Sequence, residues 1–162
     1  MLNVLKYLRI AILAIVLAST AGCVNFSKLK VSSFHIDSIS PSGLKSVAGT
    51  ASVTVDNPSR EFAIYDVEGT VDYDGRVLGS FTIDPVTVRA RTEAVYTLDG
   101  DMTLDRSVSI MEILSFADGM DFDRMTVDVS LMVKAKGGAP KKIRMDDVPV
   151  RQIVDIIRFR NI

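Results

Sequence analysis

The stretch Val67-Glu68-Gly69-Thr70-Val71-Asp72-Tyr73-Asp74-Gly75-Arg76-Val77-Leu78-Gly79-Ser80-Phe81-Thr82-Ile83 decides the fold. Asp74-Gly75 tolerates the positive φ angles of a tight two-residue loop, which places a β-hairpin there. Before it, Phe62, Ile64, Val67, Val71 and Tyr73 mark an extended segment, with a bulge expected near Gly69. After it, Val77 to Ile83 is the return strand, closed by Pro85.

The same period of two runs outward in both directions. Leu29 and Val31 begin a first strand that extends through Phe34 and Ile36, and Pro41-Ser42-Gly43 turns the chain. Val47 to Asp56 alternates, and Asn57-Pro58-Ser59 stops it, because Pro has no N–H to donate to a ladder. Downstream, Val86, Val88, Ala90, Ala94, Tyr96 and Leu98 predict one long strand. Thr126 to Lys134 alternates, Gly137-Gly138 turns, and Lys142 to Met145 pairs back. A helix over about 105–117 interrupts the series: Asp105 is its cap, Val108, Met111 and Leu114 recur at helical spacing, and Asp118-Gly119 ends it. A weaker helical pattern, Val150, Ile153, Val154 and Ile157, follows Pro149, with an edge strand over 148–150 as the other reading. Many short strands with regular turns predict a mostly β, immunoglobulin- or fibronectin-III-like antiparallel β-sandwich with one inserted helix.

The chain has 162 residues, which suits one domain plus a targeting segment. Its 48% hydrophobic and 24% charged residues are those of a globular core, which excludes a highly charged disordered protectant. Trp is absent and aromatics are 7%, so stacking platforms for bases or sugars are disfavoured. Without residues 1–22, which carry Lys6 and Arg9, the chain has 17 basic and 20 acidic residues, net −3. There is no basic excess to draw nucleic acid. Residues 134–162 carry eight Lys/Arg against Asp146, Asp147 and Asp155, a solvated basic edge or a contact for anionic headgroups or an acidic partner.

Residues 1–22 read as a signal-peptide helix. Lys6 and Arg9 precede the nine apolar residues Ile10–Ala18, too short for the roughly 20 needed to span a bilayer. Ala21-Gly22-Cys23 resembles the lipobox of bacterial lipoproteins, although Thr20 stands where that motif usually has Leu. The resemblance implies that Cys23, the only cysteine, is lipidated with palmitate-type acyl chains and becomes the mature N-terminus. Each buried methylene adds about 0.8 kcal/mol, so several chains hold permanently where one does not. The other readings are a cleaved signal with an incidental Cys, or one N-terminal membrane helix. Residues 23–28 form a tether reaching about 15–20 Å. With no acidic residue after Cys23, the resemblance implies the periplasmic face of the outer membrane of a bacterial cell envelope.

Residues 29–162 form the domain. Val53-Thr54-Val55-Asp56-Asn57-Pro58, then Ile64, Val67, Gly69, Val71, Tyr73-Asp74-Gly75 and Leu78-Gly79, then Ala90-Arg91-Thr92-Glu93-Ala94-Val95-Tyr96-Thr97-Leu98, resemble the type 2 late-embryogenesis-abundant family, which includes the bacterial water-stress and hypersensitive-response domain. The resemblance covers roughly residues 28–135. It implies a β-sandwich with a helix, a stress-protective or partner-binding role without catalysis, and in some members lipid handling. Asn57, Pro58, Asp74 and Gly75 are turn formers rather than reactive groups.

The remaining residues offer little chemistry. His35, the only His, lies near Asp37 on the first strand without a nucleophile motif. Asp118, Asp121 and Asp123, and the looser Asp99, Asp101 and Asp105, lack the ligand order of a calcium loop. No phosphate-binding glycine loop is present. The six Met from Met102 to Met145 read as core or rim. No cofactor, metal or catalytic residue is expected. The expected function is a membrane-anchored, non-enzymatic envelope module, with a lipid or an envelope protein as partner. The alternative is a binder or carrier of lipids or other apolar ligands, because a sandwich can open between its sheets.

Overall fold

The structure, a computed structural model, describes residues 28–116 and 121–151. The signal segment, Cys23, most of the tether, Asp118-Gly119 and Ile153, Val154 and Ile157 lie outside the described residues. Eight strands follow in order: β1 (Lys30–Pro41), β2 (Ser46–Asn57), β3 (Phe62–Tyr73), β4 (Arg76–Ile83), β5 (Val86–Val88), β6 (Thr92–Leu104), β7 (Met125–Ala135) and β8 (Lys141–Pro149). A helix, α1 (Ile110–Phe116), and a 3-10 turn at Phe122–Arg124 lie between β6 and β7.

The strands form one open antiparallel sheet in the order β1-β2-β6-β4-β3-β7-β8, with β5 on β3 beside β4. The β3–β4 hairpin closes at Tyr73↔Arg76, and Asp74 (φ 55°) and Gly75 (φ 77°) take the two positive-φ places of the loop. The register slips of β3 flank Gly69 rather than falling on it. One lies between Tyr65 and Glu68 against β7, where Asp66 has φ 50°; the other lies between Val71 and Asp72 against β4.

Two sequence expectations need correcting. The predicted long strand over 86–98 is split. β5 pairs with β3, whereas β6 pairs with β2 along its full length and with β4 only through Gly100–Leu104. Arg91, at φ 50°, turns the chain between them, a reversal that hydrophobic periodicity does not encode. The helix is also shorter than 105–117. Asp105 caps a turn, accepting from Ser107 N (3.0 Å) and Ser107 Oγ (2.8 Å), and that contact holds its carboxyl below the usual aspartate range. Ser109 is the helix cap, its Oγ accepting from Glu112 N at 3.1 Å, the first half of a Ser-x-x-Glu box.

The two halves of the sheet, β1-β2-β6 and β4-β3-β7-β8, meet at the short β4–β6 ladder and coil toward each other. Their facing residues gather in two clusters. Val55, Phe62, Val88, Tyr96 and Val133 form one; Val47, Leu78, Leu104, Val108 and Met125 form the other. Val47 and Val55 sit at opposite ends of β2, so the clusters close the two ends of the fold and leave its middle between them.

Candidate apolar cleft

The middle of the concave face is built from small residues. On β2 the inward positions between the clusters are Gly49 and Ala51; their partners on β6 are Gly100 and Leu98, and Gly100 in turn pairs with Ile83 of β4. On β3 the inward Gly69 lies under the Phe81 ring, which a Cβ there would meet at 2.7 Å. With so few methyl groups in the centre, the coiled halves cannot fill the space between them.

The result is an apolar cleft of about 360 Å³. Phe34, Ile36 and Ile39 of β1 form one wall, Phe81, Ile83 and Met102 the other, and Gly49, Ala51 and Leu98 the floor; Ile113 of α1 and Met125 close one end. Phe34, Ile36 and Ile39 are 41%, 54% and 43% exposed. Three large apolar side chains on one edge strand, all turned into the same hollow, are more than the scattered exposed apolar residue of an ordinary surface. The volume is at the lower end of the range of small-molecule sites, about 300–1,000 Å³. The lining is almost wholly hydrocarbon, so the cleft discriminates by shape and desolvation rather than by directed hydrogen bonds.

The opposite face of the sheet carries a larger hollow, about 470 Å³, lined by Glu68, Thr70, Thr82, Asp101, Asp128, Arg144 and Asp146 among others. Arg144, Asp146 and Asp128 are engaged locally. Arg144 Nε donates to Asp146 Oδ1 at 3.0 Å, which raises the guanidinium pKa further, and Asp128 Oδ1 accepts from Asp147 N at 2.7 Å. This hollow is a polar sheet face of hydroxyls and carboxylates, in contrast to the hydrocarbon-lined cleft.

The turn residues singled out in the sequence stand at opposite ends of β3 and are not brought together. Asn57 is fully buried and works as a three-point latch. Its Nδ2 donates to Arg60 O (2.9 Å) and Arg89 O (3.0 Å), and its Oδ1 accepts from Ser59 N (2.9 Å). Tyr96 Oη accepts from Arg89 N at 2.9 Å, so both backbone groups of Arg89 are held at the β5–β6 break. Pro58 is exposed beside the latch. At the other end, the Arg124 guanidinium makes an ion pair with the Asp74 carboxylate and lies 5.2 Å from the Tyr73 ring centre.

His35 Nε2 is 4.0 Å from Asp37 Oδ1, and Asp37 Oδ2 accepts from Ser52 Oγ. The carboxylate stands between hydroxyl and imidazole, whereas nucleophilic catalysis needs the imidazole between the other two. Among the described residues no group of three or more His, Cys, Asp or Glu side chains is placed to hold a metal ion. Of the acidic run, Asp121 Oδ1 caps Asp123 N at 3.1 Å and Asp123 pairs with Arg151 at 2.7 Å. No helix among the described residues is long and apolar enough to cross a membrane.

Sequence patterning did not pick out the cleft. Its signal was present as apolar residues on an edge strand facing Gly and Ala at the inward positions of the next two strands, but that alignment requires the ladder register.

No family model matches the chain, and no curated protein matches it significantly. Among solved structures it is similar to a protein from Archaeoglobus fulgidus, at 12% identity and a TM-score of 0.45, over 72% of this chain and 97% of that one. It is also similar to part of a β-glucuronidase from glycoside hydrolase family 2, at 11% identity and a TM-score of 0.37, over 73% of this chain and 12% of that one. At these scores the likenesses bear on neither family nor activity.

Proposed function

We propose that this chain is a non-enzymatic, lipid-anchored envelope module whose domain binds an apolar chain, such as a fatty-acyl tail, between the two halves of its sheet. The cleft carries the reading: it is hydrocarbon-lined, open along β1, and floored by Gly49 and Ala51, where larger residues would have filled it. In this reading the fold is an immunoglobulin- or fibronectin-III-like sandwich of the type 2 late-embryogenesis-abundant kind. Two features favour it: the coiling of β2-β6 over β3-β7 around shared clusters, and the motifs ending in Asn57-Pro58 and Asp74-Gly75. The anchor is Cys23, at the periplasmic face of the outer membrane, and the short tether keeps the cleft near its source of acyl chains. A stress-protective role for the envelope follows where the bound lipid is one released by drying or detergent.

Two measurements test this. Native mass spectrometry of protein purified without delipidation, together with titration of a fluorescent fatty acid, reads the cleft directly. Gly49→Leu fills the floor; a Cβ at that position meets only Ser38 O, at an ordinary 3.6 Å. The expected result is a bound lipid and a binding isotherm that Gly49→Leu abolishes while the protein stays folded. Binding unaffected by Gly49→Leu, or no binding at all, refutes the cleft as the site. Separately, Cys23→Ser releases the protein from membranes; retention there refutes the anchor.

A further inference from the structure

The chain enters the fold at its most basic end. Residues 1–27 join the sheet through Lys28 and β1, where Lys30 pairs with Asp56 and Leu29 and Val31 pack on the cluster that contains Val55 and Phe62. The Asn57 latch gathers Arg60, Arg89 and Arg91 at the same end: its amide holds Arg60 O and Arg89 O, and Arg91 N donates to Ser59 O at 3.2 Å. The tip of the β7–β8 hairpin lies beside them, because Lys134 pairs with Ala63 and Lys136 N donates to Glu61 O at 2.9 Å. Lys141 and Lys142 start β8 from that tip. Against these nine Lys/Arg stand only Asp56, Glu61 and Glu93, so the end is +6 on a chain that is net −3 past residue 22. Arg60, Arg89, Arg91, Lys134 and Lys136 are exposed, and no ion pair among the described residues uses them. The far end differs: Arg76, Arg124 and Arg151 pair there with Glu112, Asp74 and Asp123.

We propose that this end is a docking surface for anionic phospholipid headgroups, and that it stands the domain upright on the membrane. Three features select a bilayer. The basic residues come from the ends of both halves of the sheet, so they cover the end of the fold instead of lining a pocket, which suits a planar charged partner. The remainder of residues 23–162 is net −9, so the same surface that attracts this end repels the rest of the domain. The N-terminal segment also leaves from here, and the stretch from Cys23 to Lys28 reaches about 15–20 Å, within which the basic end meets the headgroups. Each Lys or Arg held near an anionic leaflet strengthens binding about fivefold, and the effect fades within a Debye length. Docked this way, β1 runs away from the headgroups, and Phe34 at the cleft stands about 13 Å beyond Lys30. The inference takes from the anchor reading only the direction of approach.

The test uses the full chain reconstituted into vesicles of phosphatidylcholine, alone or mixed with phosphatidylglycerol. A donor dye is attached at Ala90→Cys, in the exposed turn between β5 and β6, or at Leu44→Cys, 96% exposed at the other end of β2. The length of β2 separates the two sites by about 35–40 Å, so energy transfer to an acceptor lipid reads which end faces the bilayer. The parent chain, labelled in the same way, gives the background from Cys23. Phosphatidylglycerol is expected to raise transfer from the Ala90 site and not from the Leu44 site. Arg60→Glu combined with Lys134→Glu and Lys136→Glu is expected to weaken docking by about 100-fold or more and return transfer to its level on phosphatidylcholine. Arg106→Glu, exposed at the far end, should leave the gain intact. Salt at about 1 M shortens the Debye length to about 3 Å and must cancel the gain in the unsubstituted surface, an arm that needs no charge variant. Equal transfer from the Ala90 site on both vesicles overturns the proposal. So does a gain that survives the triple substitution or the salt, or a matching gain at the Leu44 site. Equal transfer on both vesicles, together with oligonucleotide binding that the triple substitution abolishes, assigns the surface to nucleic acid and overturns the proposal too. Flotation separates the anchor: a chain that does not float with phosphatidylcholine vesicles refutes the anchor, whereas flotation with phosphatidylglycerol that the triple substitution abolishes still upholds the docking surface.

Discussion

Replacing Asn57 tests whether one buried amide holds the crossing point of the fold. Its side chain is fully buried and makes three hydrogen bonds to backbone groups of Ser59, Arg60 and Arg89. Asn57→Ala removes all three. A hydrogen bond contributes about 0.5–1.5 kcal/mol net, and a buried group left unpaired costs about 1–3 kcal/mol. All three bonds are part-buried, so each falls within the net range for a hydrogen bond. The sum is about 2–4 kcal/mol. With a urea slope of about 2 kcal/mol/M, the unfolding midpoint should fall by about 1–2 M without a change in slope. Asn57→Asp sharpens the test. It keeps the acceptor for Ser59 N but turns a carboxylate oxygen toward two carbonyls. It should therefore be at least as damaging as Ala near neutral pH, and should recover part of the loss in acid, where the protonated oxygen donates to one of them. Equilibrium unfolding followed by circular dichroism at both pH values reads the outcome. An Asn57→Ala protein within about 0.5 kcal/mol of the parent, the range of neutral surface changes, would refute the latch.

Gly75→Ala should cost about 1–2 kcal/mol from backbone strain alone, since φ is 77° and a Cβ there meets nothing within 4 Å; a melt unchanged from the parent would contradict the hairpin geometry. Gly69→Ala and Gly49→Ala should differ sharply. A Cβ at Gly69 lies 2.1 Å from Asp128 O and must move backbone, whereas at Gly49 it makes one ordinary contact, so thermal melts should show a large loss for the first and little for the second. The Glu112 carboxyl is held below its ordinary value by the Arg76 guanidinium, at 2.9 Å. A depressed pKa means that the contribution is present above the unfolded glutamate value, about 4.3, and is lost as pH falls through the folded value. Glu112→Gln should accordingly flatten the acid side of the stability–pH curve; an identical acid profile would sink the pairing.

What the amino-acid order determines by itself is local. Asp74-Gly75 imposes its hairpin because positive φ at two adjacent positions suits few other pairs, and alternation from Val47 to Asp56 and from Thr126 to Lys134 yields strands because each must turn one face from water. The existence of the helix was legible in Val108, Met111 and Leu114, but its start was not: Asp105 and Ser109 are both good caps, and Val108, which is fully buried beside Leu78 and Leu104, keeps the chain in a turn until Ser109. The tertiary structure decided the rest. Residues 86–98 look like one strand to any period-two reading, yet they divide at Arg89–Arg91, because Asn57, from the end of β2, and Tyr96, from β6, bind the backbone of Arg89. The Asn57 amide was read as a turn former, and its burial became visible only once β2, β5 and β6 met. The cleft is the clearest case. Gly49, Ala51, Gly100 and Phe34 have unremarkable neighbours in sequence, and they become a hollow only when three strands align in register and the sheet coils over them. Local propensity acts through one or two residues of backbone, whereas an unfilled interior is a property of facing surfaces that no single segment carries.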